Sequence, residues 1–211
     1  MNKKITIIDY GVGNILSIKN AINFLGEEVK YSNDYKTLKD STHIILPGVG
    51  AFPSAMERLK KLKLIEIIQE VASKNIYILG ICLGMQVLFE KSSELKETMG
   101  LNLIKGEVIN LKNFTKTNVK LPHIGWNKII DENDIQNPIL KSINKDDFFY
   151  FVHNYAGNNI KNIDNISYTN YGNIKFPSMV QKNNIFGCQF HPEKSGKPGL
   201  SLIKNFIELK C

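Results

Sequence analysis

Arginine is almost missing from this chain: Arg58 is the only one in 211 residues, although the formal net charge is +7. The positive charge therefore sits on lysines scattered along the sequence. Phosphates and base edges are read best by the planar arginine fork, so no nucleic-acid partner is expected. Cysteine is nearly as scarce. Cys82, Cys188 and Cys211 make an odd set without metal-ligand spacing, which excludes a disulfide framework and a zinc site and points to a reducing compartment. No metal is expected. Long apolar runs are absent too: nothing approaches the roughly 20 uncharged residues that span a bilayer, so no membrane role follows. Met1-Asn2-Lys3-Lys4 carries two lysines, but the apolar segment behind it breaks at Asp9 without a small-residue cleavage site. A mature, cytoplasmic start is the expectation.

What is present is a chain with a hydrophobic fraction of 43%, long enough to bury a substantial core. No repeat, low-complexity linker or clean boundary divides it, so residues 1–211 are expected to form one domain. The first half alternates two textures. Ile5 to Ile8, Glu28 to Tyr31, His43 to Leu46 and Ile76 to Ile81 read as strands, with Ile15, Ile18, Ile22 and Leu25 at helical spacing between the first two. Asn14 is placed to cap that helix and Gly26 to end it. A longer helix opening at Pro53 or Ser54 is predicted from Met56, Leu59, Leu62, Ile65, Ile68 and Val71, and another from Gly84 to about Lys91. Strands alternating with helices imply a mostly parallel sheet covered on both faces. After about Gly100, strand-like runs at Glu107 to Leu111, Phe148 to Val152, Ile166 to Thr169, Met179 to Gln181 and Ile185 to Phe190 alternate with Asn- and Gly-rich turns. They predict an antiparallel extension of the same sheet. Leu200 to Leu209 closes the chain as an amphipathic helix.

The chemistry concentrates at the ends of apolar runs. Gly80-Ile81-Cys82-Leu83-Gly84 places a cysteine between two glycines where a strand would turn sharply into a helix. Such a turn strains its central residue and tolerates little bulk beside it. With serine at the centre this is the nucleophile elbow, and a helix N-terminus would favour the thiolate. The bland alternative is a buried structural cysteine beside packing glycines. A nucleophilic thiol needs a base and a group to orient that base. Phe190-His191-Pro192-Glu193 follows a strand-like run, and near-extended backbone would send His191 and Glu193 to one side, carboxylate against imidazole. The third piece, Leu46-Pro47-Gly48-Val49-Gly50, offers loop N–H groups for a developing oxyanion, with the N–H of Leu83 as a second donor. Asp9-Tyr10-Gly11-Val12-Gly13-Asn14 begins like a dinucleotide fingerprint, but position 16 holds Leu16 instead of the third glycine. No nucleotide cofactor is expected, and none of another kind.

Gly80 to Gln86 together with His191-Pro192-Glu193 resembles the class I (triad) glutamine amidotransferases. More narrowly, Ile8 to Asn14, Pro47 to Gly50, Pro122-His123-Ile124-Gly125-Trp126-Asn127 and His191 to Ser195 are similar to the glutaminase subunits of imidazole glycerol phosphate synthases. The likeness runs from residue 5 to about residue 207. It implies a flavodoxin-like α/β fold that hydrolyses L-glutamine to glutamate and passes ammonia to a separate cyclase subunit of a heterodimer. That cyclase makes imidazole glycerol phosphate in L-histidine biosynthesis. By similarity Cys82 attacks the side-chain amide, His191 shuttles the proton and Glu193 orients the imidazole. Substrate contacts match Gly50, Gln86 and Glu94, with Asn154 and Tyr155 nearby; Asn154 stands where a small hydroxyl residue would be expected.

The resemblance also moves Trp126, the only tryptophan, from a core residue towards a partner contact, and Lys194 joins it as an interfacial charge. His43, His123 and His153 read as structural, and Cys188 as an inert buried thiol. Val49 stands where related glutaminases often have glycine. A β-branched side chain disfavours positive φ, so the oxyanion hole is expected to be incomplete until a partner completes it. Three rivals remain at this point. One is a class I glutaminase serving another synthase, such as anthranilate or aminodeoxychorismate synthase; another is a binding scaffold that has lost catalysis; the third is a hydrolase or peptidase on the same fold. Pro122 to Asn127 and Val49 speak against the first, the intact Cys82, His191 and Glu193 against the second, and Pro122 to Asn127 against the third.

Overall fold

The β-branched runs of the first half line up side by side as parallel strands. In the computed structural model, which describes residues 3–115, 119–130 and 137–210, β1 (Ile5–Ile8), β2 (Val29–Ser32), β3 (His43–Leu46) and β4 (Tyr77–Ile81) lie in one sheet with every contact between them parallel. Between them come α1 (Ile15–Phe24), α2 (Tyr35–Lys39), α3 (Phe52–Lys61) and α4 (Leu64–Ser73). Met1, Asn2 and Cys211, on which part of the sequence reading fell, lie outside the described residues.

Alternation along the strands divides the apolar side chains between two cores. Ile8, Ile44, Leu46 and Ile78 face the core built with α3 and α4, whereas Ile5, Ile7, Ile45, Leu79 and Ile81 face α1 and the C-terminal helix α6 (Gly196–Ile207). Each such fully buried side chain contributes about 1.5–3 kcal/mol, so burial on both faces holds the sheet between its helices.

The single helix predicted from Pro53 to Val71 is two. Lys63 takes the left-handed conformation, φ 56°, at the N-cap of α4, and this breaks the run and leaves Leu62 exposed. After β4 the predicted helix is only one turn, α5 (Leu83–Gln86), because the chain re-enters extended structure as β5 (Phe89–Ser92). β6 (Thr98–Met99), β7 (Ile104–Asn110), β8 (His123–Lys128), β9 (Phe148–His153), β10 (Tyr155–Lys161), β11 (Asn165–Tyr171), β12 (Ile174–Lys182) and β13 (Ile185–Cys188) follow. Only part of this half extends the main sheet. Its order is β11-β12-β13-β4-β3-β1-β2, with β13 parallel to β4 and the β11-β12-β13 edge antiparallel. The remaining strands form a four-stranded sheet, β10-β7-β5-β6, and a two-stranded ribbon, β8-β9. Among the described residues no helix is long and apolar enough to cross a membrane.

Three histidines are neutral parts of this interior. Burial pushes His43 and His123 down to about 4 and His153 down to about 3. A depressed imidazole means that the unfolded chain binds protons first as pH falls, so stability is full above the ordinary value near 6.5 and declines towards pH 4. Each histidine sets an upper limit of about 1.4 kcal/mol per pH unit. Urea midpoints are expected to fall steeply between pH 6 and 4.5, before most carboxylates titrate. A flat profile there would contradict the neutral assignment.

Candidate active site

Parallel strands leave a crevice beyond their carboxyl ends, and the predicted site residues converge there. Cys82 directly follows β4 with φ 55° and ψ −111°, a conformation costly for any residue with a Cβ. Its N–H donates to the Cys188 carbonyl on β13 at 2.7 Å, which clamps the turn against the neighbouring strand. The strain belongs to the cysteine itself: Gly80 and Gly84 are not among the positive-φ residues and are needed for space. A Cβ on Gly84 would lie 1.9 Å from the Leu46 carbonyl oxygen, one on Gly80 2.6 Å from the Gly84 oxygen, and one on Gly48 2.7 Å from the Gly84 nitrogen. The three glycines let the elbow and the Pro47–Gly50 loop touch backbone to backbone. Because α5 is a single turn, its macrodipole is small. What it offers locally is the N–H of Leu83, which as a first-turn group has no acceptor within the helix.

His191 comes off the end of the β13 segment, fixed by its N–H to the Tyr150 carbonyl at 2.9 Å. Pro192–Lys194 form a 3-10 turn rather than the extended backbone expected, and this turn carries Glu193 back so that Oε1 accepts from His191 Nδ1 at 2.8 Å. Both side chains are buried. That bond leaves Nε2 as the ring atom available on the pocket side, and among the described residues it has no hydrogen-bond partner. Burial opposes a charged ring here, but the nearby Cys82 sulfur, as thiolate, and the Glu193 carboxylate outweigh it and raise His191 to about 10. The sulfur is thus felt electrostatically, although it falls short of a formed hydrogen bond.

Cys82, His191, Val49, Gly50, Leu83, Gln86, Glu94, Asn154 and Tyr155 line one cavity of about 430 Å³. Gln86 is buried, and its Nε2 donates to the Tyr155 main-chain oxygen at 2.9 Å. Glu94 accepts the Phe52 N–H on Oε2 at 2.7 Å, and burial raises its carboxyl above the usual range. Val49 is 45% exposed at the cavity rim and stays out of the left-handed region, which Gly50 enters instead with φ 99°. The loop is tied to the N-terminal glycine turn: Tyr10 donates to the Pro47 carbonyl at 2.6 Å, and Arg58, the lone arginine, holds the Gly11 carbonyl at 3.2 Å. With thiol, imidazole, carboxylate and N–H donors around one cavity, the arrangement can carry out acyl transfer.

Trp126 and Lys194 stand outside the cavity. Trp126 is 52% exposed, so it is not a core residue; its ring meets Tyr150 edge-on at 5.7 Å, and Lys194 Nζ lies 5.8 Å from the centre of the same ring. Both therefore pack against Tyr150 of β9, the residue whose carbonyl holds His191. Sequence reasoning missed Gln189, which is fully buried with Nε2 3.8 Å from Cys82 Sγ, and the wall residues Pro122, Val152 and His153. A lone amide in the apolar exit Ile185 to Phe190 was the available signal. Among the described residues no cluster of His, Cys, Asp and Glu could hold a metal.

Comparison with known proteins agrees with this construction. Residues 6–209 match the family described as glutamine amidotransferase class-I, and the chain belongs to that family. Two solved structures share its fold: a glutamine amidotransferase (TM-score 0.74, 16% identity, 96% of this chain and 97% of that one) and PurLQS from Thermotoga maritima (0.73, 19%, 98% of each). Much nearer in sequence are proteins named imidazole glycerol phosphate synthase subunit HisH. That of Lactococcus lactis is 50% identical, over 98% of both chains; that of Caldanaerobacter subterraneus is 46% identical, over 98% of this chain and 99% of the relative. The protein of that name from Methanocaldococcus jannaschii is 46% identical, over 97% of this chain and 99% of its own. Within the amidotransferases, the chain falls among these HisH subunits.

Proposed function

We propose that this chain, as one domain over residues 1–211, is the cytoplasmic glutaminase half of a heterodimeric imidazole glycerol phosphate synthase and works without a cofactor. The observation that carries the reading is the strained Cys82 sharing a cavity with a buried His191–Glu193 pair. The Cys82 proton rests on His191 Nε2 in the pair, and the Sγ thiolate attacks the side-chain carbonyl of L-glutamine. The oxyanion meets the N–H groups of Leu83 and, once the loop turns, Val49. The C–N bond then breaks, His191 protonates the leaving ammonia, and a thioester remains on Cys82. Water attacks the thioester and gives its proton to His191, releasing glutamate and the thiolate. Glu193 keeps the imidazole in the productive tautomer. Glu94 Oε1 and the Gln86 amide oxygen take the α-ammonium of the substrate, and Gly50 with the Asn154–Tyr155 segment takes its carboxylate end. Ammonia goes to a separate cyclase subunit docked on the face that exposes Trp126, Ile124 and Lys194, where an aromatic anchor sits beside a charge.

Val49 makes this reading testable. A valine loses more than glycine by entering the conformation that turns its N–H to the substrate, so the chain alone is expected to release glutamate slowly and to speed up with a cyclase subunit and its ribonucleotide substrate. Val49→Gly is expected to raise the partner-free rate about tenfold, part of the 10²–10³ that one oxyanion donor supplies, and to change the stimulated rate far less. Full activity of the isolated wild-type chain would overturn the account.

A further inference from the structure

A line of hydrogen bonds runs from the edge of β8 to the sulfur of Cys82. Asn127 Nδ2 donates to His123 Nε2, His123 Nδ1 to His153 Nε2, and His153 Nδ1 to the Tyr155 main-chain oxygen, each at 2.9 Å. The direction is forced. A carbonyl only accepts, so His153 carries its proton on Nδ1 and presents Nε2 as an acceptor, which makes His123 donate from Nδ1 and accept from the Asn127 amide. From the other side, Gln86 Nε2 donates to the same Tyr155 oxygen at 2.9 Å and to Gln189 Oε1 at 3.1 Å. Gln189 can then turn only its NH₂ towards the sulfur, at 3.8 Å.

Four of these side chains, Gln86, His123, His153 and Gln189, are buried. Burying so many polar groups is costly unless every partner is met, and together they fix a single arrangement. A purely structural network has no reason to end on sulfur, the weakest acceptor in the inventory. A donor aimed there becomes strong when the sulfur is a thiolate, since bonds to an ion are roughly twice as strong as neutral ones.

The geometry points to Gln189 as a positioning residue for the thiolate of Cys82, held in its donating orientation by the line through Gln86, Tyr155, His153 and His123 to Asn127. This rests on the reading of Cys82 as the nucleophile. The other titratable groups that feel this sulfur are Tyr10, Cys188 and His191, with Glu193 behind the last; the variants below change none of them.

The test is the pH dependence of Cys82 alkylation by iodoacetamide in the full-length chain, with Cys82→Ala to subtract the other thiols. Gln189→Met keeps the volume and removes the donor. Its alkylation midpoint is expected to rise by about one pH unit, a tenfold loss of thiolate at fixed pH, with kcat for glutamine falling more than KM changes. Asn127→Ala, a half-buried site that tolerates truncation, is expected to shift the midpoint the same way by a smaller amount. An unshifted midpoint in Gln189→Met overturns the proposal, as does a shift in that variant with none in Asn127→Ala. If Gln189→Met does not fold, Asn127→Ala alone decides: a raised midpoint supports the line and an unchanged one overturns it. A wild-type chain that failed to hydrolyse glutamine would instead strike the functional reading, leaving the alkylation profile to judge the line.

Discussion

Cys82→Ala is expected to stop glutamate release, with the rate falling at least about 10⁴-fold in the presence of a cyclase subunit and its ribonucleotide substrate. The size follows from what is lost. Without Sγ no thioester forms, and direct attack by water must do in one step what the thiol divides into two. The cavity walls are untouched, since Gln86 and Glu94 are held by the Tyr155 carbonyl and the Phe52 N–H rather than by the sulfur. Calorimetry should therefore find glutamine still bound to the variant. Unchanged glutamate release would remove Cys82 from the chemistry. A companion variant separates strain from reactivity. The φ of 55° at residue 82 penalises alanine as it does cysteine, but not glycine, so Cys82→Gly should be more stable than Cys82→Ala by about 1 kcal/mol. A conformational cost kept at the residue proposed to react is how a reactive geometry is held before substrate arrives.

How much of this could be read beforehand depends on whether the cause was local. The strands at Ile5 to Ile8 and His43 to Leu46 fall where expected, because continuous β-branched runs have no other way to bury both faces. Cys82, His191 and Glu193 were legible as types at the ends of such runs. The break at Lys63 was not, since apolar spacing continues through it and only the backbone conformation interrupts it. Nor was the brevity of α5, whose continuation as β5 is decided by pairing with β7, beyond the reach of helical spacing. The second half misled for the same reason: alternation identifies strands but not which sheet each joins, so β8-β9 and β10-β7-β5-β6 separate from the main sheet without any mark in the sequence. Gln189 stayed hidden because its meaning comes from Gln86 and the sulfur, more than a hundred residues away. The need for little bulk beside Cys82 was legible; the distinction that was not is between general crowding and contact with fixed main chain, which is what a Cβ on Gly84 would meet.

That distinction yields the largest expected effect on stability. Two forces oppose each other at Gly84→Ala. Residue 84 lies inside α5 with an ordinary backbone, where alanine would by propensity and unfolded-state entropy gain up to about 1 kcal/mol. Against this, its Cβ would stand 1.9 Å from the Leu46 carbonyl oxygen, and the obstacle is main chain, so no rotamer relieves it. Sterics should win: a destabilisation of at least about 3 kcal/mol, read as a fall in Tm of roughly 6–12 °C or as failure to accumulate folded protein. Gly26→Ala serves as the control. Gly26 has φ 81° beyond the end of α1 with nothing within 4 Å of a new Cβ, so only the conformational cost of about 1 kcal/mol applies. Equal stability of the two variants, or a Gly84→Ala chain as stable as the wild type, would refute the close approach of elbow and loop. Where Gly84→Ala does fold, Leu46 and Pro47 must have moved, and they lead directly into Gly48, Val49 and Gly50. Its hydrolysis of glutamine should then fall with Cys82, His191 and Glu193 all intact, because the displaced loop carries the Val49 N–H away from the developing oxyanion.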